Sequence, residues 1–448
     1  MRNKRLILRM ALFQLGFAFI SVLVLGVLNR VMYAEMGLPA ILIGFLFAIP
    51  PAISPFRLWL GYLSDAHPIL GHRRVPYIIG GMILAVAGVI AGTLGALWIL
   101  RSVAWGVLIT VIAFLGYGMG KNAMATTSQA LIADVFDKQC RPQAMAILKA
   151  TFILGIIGGS VGLGRLVDPY SPGRLIAVVI GTGVVAIVLS VVGCLGVEPT
   201  GQVVESVSSH VREMSFGQTL KQTLRNPQVR LFFFFISATL LATLAQDVYL
   251  EPYGAKVFGM SVGETARLNM YWGTGTLTAM IVCGLWLINR LGRKPVTAIG
   301  LVIVALSFVG LILAGGVGQK GLFVALVFLL GIGSGASGAG ALTLMVDFTV
   351  PEQAGLLMGT WTIAHQLAEA IGNAVGGVLI DGVLALSSSH LAAFGVVFGL
   401  EVVAALAALA LLSRISVAAF KARSSLKLEG SGPPRVVSDW APAMDGEG

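Results

Sequence analysis

In the segment WTIAHQLAEAIGNAVGG, Trp361, His365, Glu369 and Asn373 recur every fourth residue. On a helix that spacing sets an indole, an imidazole, a carboxylate and an amide along one face. A neutral imidazole there could be the axial ligand to the magnesium of a chlorin, or the His365 and Glu369 pair could relay protons. An interhelical hydrogen-bond patch is the plainer use of the same groups. Lys121 and Asn122 follow the run GYGMG. They suit an anionic or carbonyl-bearing ligand, and Lys121 equally suits a carboxylate that ties two parts of the chain together. Arg30, Glu35, Asp247 and Glu251 end two apolar runs, and an Arg30 to Asp247 ion pair competes there with simple snorkelling to water. Glu401 stands in the middle of a further apolar run, which calls for protonation or a partner helix.

The elements that must position these residues are membrane helices. With 57% hydrophobic residues, 11% charged residues and a mean hydropathy of +0.91, 448 residues cannot hide their apolar side chains in a water-soluble core. Twelve windows are long enough to cross a bilayer: 10–33, 40–62, 76–99, 103–130, 143–164, 174–197, 231–251, 263–288, 296–315, 321–346, 354–380 and 391–413. Pro50, Pro51 and Pro55 predict a bend in the second, with Arg57 just beyond it. Basic residues divide 22 to seven between alternate loops, which predicts that both termini are cytoplasmic. The same division accounts for the net charge of +10 without a nucleic-acid partner. Cys140, Cys194 and Cys283 are too scattered for a disulfide framework or a zinc site.

The chain repeats itself weakly. Asp134 and Asp347 close the fourth and tenth windows 213 residues apart, Glu35 and Glu251 close the first and seventh 216 apart, and Asp65 and Asn289 follow the second and eighth 224 apart. These offsets predict an all-α integral membrane fold of twelve helices in two pseudo-symmetric halves, 1–197 and 230–413. A cytoplasmic linker, 198–229, joins them, and a tail, 414–448, is expected to lie on the membrane and then become disordered. The glycine runs at 116–120, 331–340 and 370–377 are read as faces of close helix contact. No ATP-binding motif occurs, so any transport would be secondary, and no metal-ligand cluster or nucleophile with its base occurs, so an enzyme is not expected.

The paired halves and the loops around Asp65 and Asn289 resemble the major facilitator superfamily. More closely, LNRVMYAEMGLPA, SPFRLWLGYLSDAHPILGHRRVPY, ALIADVFDKQCRP and QDVYLEPYG together resemble its bacteriochlorophyll-delivery branch, the PucC/LhaA-like proteins. The resemblance marks Asn29, Arg30, Glu35, Arg57, Asp65, His67, Gly71, Arg73, Arg74, Asp134, Arg141, Gln246, Asp247 and Glu251. It also implies a cytoplasmic clamp in which Gly61, Asp65, His67, Gly71, Arg73, Arg74, Asp134 and Arg141 are answered in the second half by Asn289, Arg293, Lys294 and Asp347. Asparagine in place of the second aspartate predicts an asymmetric clamp.

What this resemblance implies is a non-enzymatic assembly factor for photosynthetic light-harvesting complexes. Its partners would be bacteriochlorophyll or a related pigment, carried as cargo with no covalent cofactor, and the antenna polypeptides. The expected place is the inner or intracytoplasmic photosynthetic membrane. The alternative is a proton-coupled secondary transporter of a small solute.

Overall fold

The computed structural model describes residues 2–69, 71–137, 139–198, 227–244, 246–348, 354–417 and 420. Most of the expected linker and tail, and the side chains of Gln246 and Asp247, lie outside this range.

Fourteen helices account for the twelve windows among the described residues. The first half holds α1 (Asn3–Glu35), α2 (Ala40–Ala52), α3 (Phe56–Ala66), α4 (Val75–Ile99), α5 (Val103–Val135), α6 (Arg141–Val167) and α7 (Pro172–Cys194). The second holds α8 (Pro227–Leu244), α9 (Gln246–Phe258), α10 (Val262–Leu291), α11 (Arg293–Val317), α12 (Lys320–Asp347), α13 (Ala354–Ser387) and α14 (His390–Arg414). Eleven helical spans are long and apolar enough to cross a membrane, with α8 and α9 read together as one of them. The second window is the exception. It is divided between α2 and α3, because the proline ring at position 55 and those at 50 and 51 remove backbone donors where the bend was expected.

Helix packing repeats between the halves. In the first, α1 packs on α6 and α7, α4 on α5 and α7, and α2 on α5. In the second, α8 packs on α13 and α14, α11 on α12 and α14, and α10 on α12, the same pairings at the equivalent places. Two seams join the halves, α2 on α13 and α6 on α10, and exchanging the halves turns one seam into the other. Glycines make the seams close: Gly44 faces the Asn373 carbonyl and Gly377 faces Ala40, with no room for a Cβ at either. Within the halves, Gly120 lies against Gly81 and Ala85, and Gly333 against Gly300 and Val304, so two of the expected glycine runs are contact faces.

Candidate functional site

The bend after α2 builds the centre of the site. Ser54 N–H donates to the Pro51 carbonyl rather than to Pro50, so the Pro50 carbonyl loses its helical donor. Asn122 Nδ2 on α5 supplies the replacement at 3.0 Å, and its Oδ1 accepts from Arg57 Nε at 2.6 Å. Only 1% of Asn122 is exposed, so one buried amide fixes both the bend and the guanidinium beyond it.

Next to Asn122 on α5, Lys121 Nζ lies 3.7 Å from Glu369 Oε1 on α13 and links the two halves. Arg57 and His365 are within the electrostatic reach of Glu369. The His365 side chain is left exposed on α13. Thus Arg57, Lys121, Asn122, His365 and Glu369 come together. Lys149 takes a structural place, with Nζ over the Phe152 ring at 5.2 Å.

The four-residue stripe of α13 does not stay on one face. Each step of four residues advances about 40° past a full turn, so twelve residues drift by roughly a third of a circle. Trp361 therefore faces α8, its ring 4.7 Å from that of Phe232, while Asn373 donates to the Phe47 carbonyl on α2 at 3.1 Å. Glu401 is 2% exposed and lies inside the second half, within electrostatic reach of Tyr249 on α9.

Bonds between the halves concentrate at the face where Glu35 lies, called here the far face. Arg30 pairs with Glu35 and donates to the Met260 carbonyl at 3.0 Å, and Asn29 donates to the Val248 carbonyl. The expected Arg30 to Asp247 pair involves a side chain outside the described residues. Glu251 accepts from Asn269, Ser261 Oγ donates to Asp168 at 2.7 Å, and Lys256 Nζ donates to the Ala34 carbonyl at 3.2 Å. Asp381 on α13 caps the first turn of α2, accepting from Ala40 N at 3.0 Å and Ile41 N at 2.7 Å.

At the opposite face stands the clamp. Asp65 accepts from Arg73 at 2.8 Å and Arg74 at 2.6 Å, and Arg74 also reaches Asp134 at 3.0 Å and Ser64 Oγ at 2.6 Å. Glu198, just past α7, accepts the backbone N–H groups of Arg73, Arg74 and Val75 at 2.6 to 3.1 Å, closing the start of α4. Gly71 takes φ +76° in the loop turn, a conformation that favours glycine. Three expected members act otherwise. Arg141 donates to the Phe136 and Ala133 carbonyls and so finishes α5, His67 contributes its carbonyl to Tyr77 Oη at 2.8 Å, and Gly61 stands on α3 with its nearest neighbour Thr126 on α5.

The second half repeats part of this. Arg293 pairs with Asp347 as Arg74 does with Asp134, and Lys294 donates to the Ile415 carbonyl at the end of α14. Asn289 instead donates to Leu285 in its own helix at 3.4 Å, so the asymmetry expected from its amide is present. Nothing in the sequence pattern marked Glu198 or Asp381, because each meets backbone on a helix remote in sequence, or Asn269, which meets a single side chain on the preceding helix.

Two halves with equivalent packing, two exchanged seams and a paired loop clamp define the class: a membrane protein with the fold of the major facilitator transporters. Solved structures agree on that fold. A bacterial homologue of the iron transporter ferroportin in an inward-facing state aligns with a TM-score of 0.69 at 14% identity, over 92% of this chain and 98% of that one. The nucleoside transporter NupG, in a mutant form, also gives 0.69 at 14%, over 91% and 99%.

The family described as PUCC protein matches residues 27–420, and the chain belongs to it. A Rhodobacter capsulatus protein described as an uncharacterized protein in the puhA-bchM intergenic region is 32% identical, over 87% of this chain and 82% of that one. Protein PucC of the same organism is 29% identical, over 90% of each. A Rhodobacter capsulatus protein named Bacteriochlorophyll synthase 44.5 kDa chain is 31% identical, over 88% and 91%.

Proposed function

We propose that this chain is a membrane assembly factor for photosynthetic light-harvesting complexes, which binds bacteriochlorophyll or shepherds antenna polypeptides and performs no catalysis of its own. The observation that carries the reading is membership of the PUCC family over residues 27–420, joined to a relative whose name includes bacteriochlorophyll. The site is compatible with such cargo. A chlorin needs an apolar space in the membrane and one axial ligand for its magnesium, and His365 is an exposed imidazole on a membrane helix. In this reading the clamp face, with its basic loops, is cytoplasmic, and the membrane is the inner or intracytoplasmic one.

Purification in mild detergent from phototrophically grown cells tests it: chlorin absorbance or antenna polypeptides should accompany the protein. Absence of both, with proton-driven movement of a soluble compound in proteoliposomes, would establish instead a secondary transporter. The exchanged seams favour that second reading structurally, since they are the hinges that alternating access uses. If His365→Leu leaves pigment occupancy unchanged in pigment-bearing protein, the axial-ligand assignment is wrong.

A further inference from the structure

We propose that the bend between α2 and α3 is a binding site for the acidic group, carboxylate or phosphate, of an amphiphile that reaches it from the bilayer, with Arg57 as its ligand. Arg57 uses Nε on the neutral amide of Asn122, and its two terminal nitrogens make no hydrogen bond among the described residues. Those nitrogens are the planar fork that binds a carboxylate or phosphate through two parallel bonds. Asn122, itself held by the Pro50 carbonyl, fixes the other side of the guanidinium, so the fork is oriented before a ligand arrives.

Charge points the same way. Among the described residues Glu369 is the carboxylate that acts on His365, beside three cations, Arg57, Lys121 and Lys149. Its distance from Lys121, 3.7 Å, is longer than a charge-assisted hydrogen bond. An arginine in a crossing helix is costly unless water or an anion meets it.

The approach lies beside α3. The far-face piece of the second crossing, α2, packs on α13, whereas α3 beyond the bend packs on α5. The helix pair that forms the seam therefore parts company at the position where Arg57 stands. Leu60 and Ser64 on α3 are buried and Gly61 faces Thr126 of α5, and the large rings of Trp59 and Tyr62 are left exposed. Apolar surface next to a lone guanidinium fork is what an acid with a greasy body would meet.

The test uses the full chain, delipidated and rebuilt in phosphatidylcholine nanodiscs. One arm titrates a chlorin with a free propionic acid against its methyl ester, read by fluorescence anisotropy. The other adds phosphatidylglycerol and reads retained lipid by native mass spectrometry. The acid should bind at least about tenfold more tightly than the ester, or phosphatidylglycerol should be retained over phosphatidylcholine. The first result assigns the acid to a pigment carboxylate, the second to a lipid phosphate. In either arm Arg57→Gln should abolish the preference and Arg57→Lys should keep part of it. A parent protein without preference in both arms, or an Arg57→Gln protein that elutes like the parent and keeps the preference, overturns the site. The site stands apart from the cargo of the pigment reading: equal binding of acid and ester with no lipid selectivity sinks the site and leaves that reading standing.

Discussion

Replacing Asn122 by leucine tests the centre of the site. The change keeps the branched shape of a fully buried side chain and removes two hydrogen bonds, one from Arg57 Nε and one to the Pro50 carbonyl. A bond to a charged donor is worth about 1.5–3 kcal/mol and a neutral one about 0.5–1.5, giving roughly 2–4.5 kcal/mol at most. Interhelical bonds in membrane proteins average nearer ~0.6 kcal/mol, so two of them set a floor of about 1.2. Unfolding in mixed micelles, followed by tryptophan fluorescence, should show a loss between those limits. The sharper measurement is a double-mutant cycle with Arg57→Leu. Because Arg57 touches Asn122 and not Pro50, the two single losses should exceed the double loss by about 0.6–3 kcal/mol. A coupling within about 0.3 kcal/mol of zero would refute the argument that Asn122 holds Arg57 in place.

Three further outcomes follow from the seams and the clamp. Asp381→Ala removes the cap of α2 and should cost about 1–2 kcal/mol, enough to widen the far face; pulsed EPR between labels at Arg101 and Lys320 should show a longer component. Gly377→Val puts a side chain against Ala40 and should move the same distance distribution in the same direction, and an unchanged distribution would mean that the α2 to α13 seam does not set the spacing. Glu198→Ala strips the start of α4 of its acceptor and should lower unfolding free energy by about 1–2 kcal/mol, with Glu198→Gln recovering part of it in the same micelle assay.

Much of the frame was legible in the residues, for reasons that are local. Twelve apolar windows follow from the thickness of a bilayer, and the break in the second follows from three prolines within six residues. Charges inside apolar runs are costly, so Arg57, Lys121 and Glu369 marked themselves, and so did the repeated acids that date the two halves to one plan. Which charge meets which is lateral information. Lys121 finds Glu369 across the seam, and Arg30 finds Glu35 five residues along its own helix. The α13 stripe was misplaced at Trp361 because a spacing of four drifts around a helix of 3.6 residues per turn. Asp381 and Glu198 escaped notice because a carboxylate that caps another helix's backbone has no periodicity to betray it.

The Asp381 cap also has a consequence in time. Ala40 and Asp381 are 341 residues apart, so at about 5–20 residues per second the ribosome delivers the acceptor roughly 20–70 s after the helix that needs it. Throughout that interval the first half sits in the membrane with the opening turn of α2 still lacking its partner. The newborn half is therefore a waiting structure, finished only when the last quarter of the chain arrives. A truncation that stops before α13 should leave the first half inserted but open to proteases at 37–41.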